Sequence, residues 1–193
     1  MKKKSIFWVN LVLVFALIVG VTLPALNVSA AGKSKKKKVL VVYFSATGTT
    51  KSAAKKVKKA TGGTLYQIKA AKPYTSADLN YDNAKCRVNK EQRNGSVRPK
   101  IKGKVKNMKK YDVIFIGYPI WWGKEPMIIR TFLESYNLKG KKIVPFCTSG
   151  GSGISGSMKG IKASAKGAKV VKGKDLTDSS AKSVEKWAKK KIK

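Results

Sequence analysis

"VVYFSATGTT", Val41 to Thr50, joins two different kinds of sequence. Residues that favour strands stop abruptly at a string of hydroxyls around Gly48. Upstream, "VLVVYF" (Val39 to Phe44) has no polar alternation and reads as a strand buried on both faces. Downstream, "TTKSAAKKVKKA" carries Ala53, Ala54, Val57 and Ala60 at helical spacing, and Gly62–Gly63 ends it. A strand therefore enters the turn and a helix leaves it. Helix N-termini present unpaired N–H groups and a partial positive charge, so they attract anions. Gly48 lets the backbone turn tightly, and Ser45, Thr47, Thr49 and Thr50 supply hydroxyls; with Ala46 they form an expected phosphate turn. A plain capped turn would need only one such hydroxyl. The Lys-Ser/Thr pair of a nucleotide P-loop is missing, and so is the G-x-G-x-x-G pattern of a dinucleotide turn.

Outward from this stretch, strand-like and helix-like segments alternate. "TLYQIKA" (Thr64 to Ala70) predicts a second strand, "YDVIFIGYP" (Tyr111 to Pro119) a central one and "KKIVPFCT" (Lys141 to Thr148) another buried one. "AKVVKGKDL" predicts the last. Helices are expected at "NAKCRVNKEQRN", ending at Gly95, and at "EPMIIRTFLESY", with Met127, Ile128, Thr131, Phe132 and Tyr136 as its apolar stripe. "MKGIKASAK" predicts a short helix, and "SSAKSVEKWAKKKIK" a terminal one with Val184, Trp187, Ala188 and Ile192 inward. Residues 71–110 show little regular pattern. The alternation predicts an α/β fold: a three-layer, doubly wound, five-stranded parallel sheet. Ligands in such folds sit beyond the carboxyl ends of the strands. Unusual residues should gather there, and two further loops carry them.

"YPIWWGKEP" (Tyr118 to Pro126) puts two tryptophans after the central strand. Adjacent side chains diverge, so one of the pair faces the surface or a planar ligand. Taken alone, this loop reads equally as an aromatic lid over the core. "TSGGSGISGS" (Thr148 to Ser157) offers small residues that admit close backbone approach, although taken alone it reads better as a flexible run of turn residues. Together the three loops describe a site for something flat, partly apolar and phosphorylated.

The chain is 193 residues long with 43 Lys and Arg against 9 Asp and Glu, a net charge of +34. Such an excess bears on partners and solubility rather than on fold. Histidine is absent, which removes imidazole bases and ligands. Two cysteines, Cys86 and Cys147, exclude a disulfide-dense scaffold or a cysteine-rich zinc site. They could pair outside the cell, although Cys147 ends an apolar strand and reads better as a buried free thiol. No catalytic and no metal-binding residue is expected.

Residues 1–30 read as an export signal: Lys2, Lys3 and Lys4, then an apolar run from Leu11 to Leu23, then Pro24 and an A-x-A-like spacing of Val28 and Ala30. Cleavage is expected after Ala30 or Ala31. The alternative is an uncleaved anchor, since Ile6 to Leu26 nearly spans a bilayer. Residues 31–38, "AGKSKKKK", form a basic linker, and residues 39–193 the domain. The expected location is outside the cytoplasm, extracellular or on the cell envelope.

On "VVYFSATGTT", "IGYPIWWG" and "FCTSGGSG", in that order after the expected strands, the chain resembles the flavodoxins and their flavodoxin-like relatives. The resemblance covers about Val39 to Lys193. It implies strand order 2-1-3-4-5 and bound FMN. Carried onto this chain, it places the phosphate at Ser45, Thr47, Gly48, Thr49 and Thr50. One side of the isoalloxazine falls to Pro119, Ile120, Trp121, Trp122 and Gly123, the other to Thr148, Ser149, Gly150, Gly151 and Gly153. Tyr74 is a rim candidate. Thr49 stands where the family often has Asn, and the basic charge departs from the acidic character of soluble carriers.

The resemblance implies an electron carrier or a simple flavin-dependent reductase, with a redox protein or a small electron acceptor as partner. A field of lysines would favour an anionic reduced flavin and raise its potential. The lysines could instead attach the protein to anionic envelope polymers or lipid headgroups. Nucleic acid is not expected, because only the charge speaks for it. Two other functions stay open: a basic binding module that kept the fold and lost the flavin, and an NAD(P)H-dependent quinone or nitro reductase.

Overall fold

β1 (Val39–Tyr43) is buried along its whole length, as its unbroken apolar run requires. The computed structural model describes residues 36–193; the expected export signal and most of the basic linker lie outside them. After β1 come α1 (Thr49–Thr61), β2 (Thr64–Gln67), β3 (Lys69–Ala70), α2 (Arg87–Arg93), β4 (Ile101–Lys102) and β5 (Val113–Pro119). They are followed by α3 (Met127–Glu134), β6 (Lys142–Thr148), α4 (Met158–Ser164), β7 (Lys169–Val170), β8 (Lys174–Asp175) and α5 (Ala181–Ile192). Among the described residues no helix is long and apolar enough to cross a membrane.

The large sheet runs β2-β1-β5-β6-β7, with β8 also on β6, and every pairing in it is parallel. Counting its strands by position gives the doubly wound order 2-1-3-4-5. Alternate residues of each strand feed two cores. Leu40, Val42, Ile114, Ile116 and Ile143 pack on one face, with Ile128, Ile129 and Phe132 of α3 and Ile161 of α4. Val41, Tyr43, Phe115, Val144 and Phe146 pack on the other, with Ala53, Ala54 and Val57 of α1 and Val184 and Ala188 of α5. Each large side chain withdrawn from water contributes about 1.5–3 kcal/mol, so these double-faced strands dominate the stability.

Three departures from the sequence reading have local causes. "TLYQIKA" is not one strand: after Gln67 the chain leaves the sheet, and β3 pairs antiparallel with β4 in a separate ribbon. The last strand is broken in two. Its register on β6 shifts by one residue between Ile143↔Val170 and Phe146↔Lys174, across Pro145, which has no N–H to offer the ladder. The stripe of α3 is also different: Ile129 and Leu133 are buried, while Thr131 and Tyr136 are only half-buried. α3 packs against the large sheet through the shared core and also against α4 and β4, which widens its buried arc.

Candidate functional site

All five strand positions end on one edge, and the loops leaving β1, β5 and β6 meet there. They enclose a cavity of about 450 Å³, within the range of small-molecule sites. The phosphate turn supplies Ser45, Ala46, Thr47, Thr49 and Thr50 to its wall. The tryptophan loop supplies Pro119, Ile120 and Trp121, and the small-residue loop Thr148, Ser149 and Gly150. The cavity wall carries no Lys, Arg, Asp or Glu.

Gly48 stands at the N-cap of α1 with φ +101°, a conformation that side chains rarely adopt, and no side chain caps the helix. Ser45 Oγ accepts instead from the Gly48 N–H at 3.1 Å, which folds the turn back on itself. The N–H groups of the first helical residues are thus left facing outward, as an anion requires. The hydroxyls divide. Thr47 and Thr49 are exposed. Thr50 is buried and hydrogen-bonded through Oγ1 to Thr148 Oγ1 at 2.7 Å, which ties the first loop to the third.

Of the adjacent tryptophans, Trp121 is 4% exposed and Trp122 is 58% exposed. Trp121 packs edge-on against Phe44 and Tyr74 at 5.5 and 5.1 Å between ring centres. Its N–H and C=O both bond Lys124, closing a two-residue turn. Trp122 and Gly123 fill that turn with φ +50° and +71°, the left-handed pair of a type I′ turn. Tryptophan there is strained and must be held. Trp122 Nε1 donates to Asn89 Oδ1 at 2.6 Å, and its ring meets Tyr81 edge-on at 5.7 Å. Asn89 also donates to the carbonyls of Tyr81 and Asn83. Gln92 Nε2 donates to the carbonyls of Trp121 and Glu125. One face of α2 therefore clamps the tryptophan turn.

Behind that turn, Glu125 is fully buried and accepts from Arg130 Nε at 2.7 Å. Burial pushes its carboxyl above the usual range, against the opposing pull of Arg130. Gly160 of α4 lies so close that a Cβ would overlap Glu125 Oε1 and Arg130 Nη2.

The third loop is tied down. Ser149 Oγ accepts from the N–H groups of Gly151 and Gly153, while the Ser149 N–H donates to Thr177 Oγ1. Gly151 lines an adjoining hollow with Asp175, Thr177, Asp178 and Ser179. Gly48, Trp122, Gly123 and Gly153 shape the loops without lining the main cavity. Tyr74 does not line the main cavity; it lines a neighbouring hollow that shares Ser45 and Ala46 with it, donates to Glu91 Oε2 at 2.6 Å and lies under the Arg87 guanidinium. Cys86 and Cys147 are free and buried, and burial, then Asp175, pushes the Cys147 thiol well up.

Leu79, Tyr81 and Thr177 complete the cavity wall beyond the expected residues. Thr177 follows the last strand, so the carboxyl-end rule could have found it. Leu79 and Tyr81 belong to the irregular excursion after β3 and carry no local signal.

A family model described as Flavodoxin matches residues 38–191. No curated protein sequence matches the chain. Among solved structures, a candidate flavoprotein from Bacteroides eggerthii is 48% identical, with a TM-score of 0.76 over 79% of this chain and 96% of that one. A candidate flavoprotein from Bacteroides uniformis is 44% identical, with a TM-score of 0.76 over 80% and 99%. A flavoprotein from Lactobacillus acidophilus, solved in complex with FMN, is 26% identical, with a TM-score of 0.60 over 72% and 93%.

Proposed function

Because the chain belongs to the flavodoxin family, we propose that it binds FMN in the cavity at the strand ends and works as an electron carrier or simple flavin-dependent reductase outside the cytoplasm. The observation that carries this reading is the uncapped start of α1, open to a hydroxyl-lined cavity. Its N–H groups, with the Thr47 and Thr49 hydroxyls, would take the phosphate. Pro119, Ile120 and Trp121 would line one side of the ring, and Thr148, Ser149 and Gly150 the other. FMN, when bound, supplies the electron transfer; the protein supplies binding, orientation and electrostatics. No side chain need move a proton. The Asn89 and Gln92 clamp keeps the tryptophan turn in its strained shape, and Ser149 keeps the third loop from collapsing into the space.

The natural partner on this reading is a redox protein or a small electron acceptor reaching the cavity mouth. The protein as purified should be yellow or take up added FMN, and the double change Thr47→Ala with Thr49→Ala should weaken uptake. Absorbance and flavin-fluorescence titration read it directly. A folded protein that takes up no FMN would refute the reading and favour a binding module that has lost the flavin.

A further inference from the structure

In a parallel sheet all strand entries share one edge, and here lysines mark the entries. Lys36, Lys37 and Lys38 precede β1, and Lys109 and Lys110 precede β5. "KGKK" (Lys139 to Lys142) leads into β6 and "KGAK" (Lys166 to Lys169) into β7. Most of these are exposed; Lys141 is buried, its Nζ donating to the carbonyls of Lys109 and Tyr111. Burial, and then the charges of Lys37, Lys169 and Lys191, hold the Lys142 ammonium below its usual range. Asp112 stands among them, and its carboxylate accepts from the Lys38 backbone N–H. A hollow of about 480 Å³ opens beside Lys36, Lys37, Lys38 and Lys110.

The cofactor edge is different. Its cavity has no lysine in the wall, and two of the chain's 9 acids, Asp175 and Asp178, line the adjoining hollow. The seven residues of β5 separate the two edges by about 23 Å, more than two Debye lengths at physiological salt. Lysines at the entry edge can therefore hold anions without acting on the cofactor.

We propose that this lysine edge is a docking surface for anionic lipid headgroups, holding the domain against a membrane with the cofactor edge turned away. Charge complementarity makes the surface; the course of the chain selects the lipid. The chain enters the domain at Lys36, on this edge, and the apolar run Ile6 to Leu26 lies a short stretch upstream in the sequence; cleaved after export or kept as an anchor, that run brings this edge to a bilayer first. A basic segment beside a membrane-directed run gains about fivefold in partitioning per lysine near an anionic bilayer. The proposal does not depend on the flavin.

The test is co-sedimentation of the full chain with vesicles of phosphatidylcholine, alone or mixed with phosphatidylglycerol, at low and high salt. Two triple variants with the same change in net charge are compared. Lys37→Glu, Lys109→Glu, Lys169→Glu alters the entry edge; Lys85→Glu, Lys90→Glu, Lys159→Glu alters exposed positions elsewhere. Phosphatidylglycerol should raise binding of the wild type in a salt-sensitive way. The entry-edge variant should lose on the order of a hundredfold of that increment, while the other variant keeps most of it. Circular dichroism verifies that each variant is folded. Equal loss in both variants would overturn the proposal, and so would equal binding to both vesicle types. Capture by soluble polyphosphate with no phosphatidylglycerol increment would overturn it in favour of an anionic polymer.

Discussion

Thr50 and Thr148 stand 98 residues apart and share one buried hydrogen bond, 2.7 Å between hydroxyl oxygens. It joins the phosphate turn to the third loop beneath the cavity. Thr50→Val keeps the shape and leaves the Thr148 hydroxyl without that partner, at a cost of about 1–3 kcal/mol. Thr148→Val should cost the same by the mirror argument. The double variant sets two methyl groups against each other and strands nothing, so it should cost less than the sum of the singles. The expected coupling is about 1–2 kcal/mol. Urea unfolding of the FMN-free protein, followed by tryptophan fluorescence, gives each stability from midpoint and slope. Additivity to within about 0.5 kcal/mol would show that the two hydroxyls do not depend on each other, and the account of how the loops are joined would fall.

Asn89→Ala removes the Trp122 hydrogen bond and two carbonyl contacts; FMN affinity should drop about tenfold, with a changed tryptophan emission spectrum, while Asn89→Ala proteins still fold. Trp122→Gly relieves the left-handed strain, so it should leave thermal stability unchanged or higher while weakening FMN binding; a matching fall in both would count against a strained, functional turn. Gly160→Ala forces a methyl group into the Glu125–Arg130 pair and should destabilise by at least about 3 kcal/mol, read as a large drop in Tm. Arg98, through its hydrogen bond, holds the Glu134 carboxyl below the usual range. That contribution is present above the ordinary carboxylate pKa and lost as pH falls through the depressed one. Wild type and Arg98→Met should therefore differ in unfolding stability at neutral pH and converge in acid; a constant gap would refute the assignment.

Much of this architecture was legible because it is local. Buried parallel strands need unbroken apolar runs, so β1, β5 and β6 announce themselves, and Gly62 and the alanines of α1 mark a helix and its end. Once the sheet is parallel, covalent order alone carries Ser45 to Thr50, Pro119 to Trp121 and Thr148 to Gly150 to one edge and the lysine pairs to the other. The sequence likewise requires Trp121 and Trp122 to diverge, but not which of them is buried.

That choice belongs to tertiary structure. Trp121 is drawn inward by Phe44 and Tyr74, and Trp122 is held out by Asn89, a residue more than thirty positions upstream whose own segment reads as a helix but says nothing of what that helix will touch. The same holds for Leu79 and Tyr81 in the cavity wall, for the Thr50–Thr148 bond, and for the break of the last strand opposite Pro145. Periodicity and turn chemistry act over a few residues, so a single sequence displays them. Contacts between irregular segments depend on which surfaces the folded sheet brings together, and only the assembled core decides that.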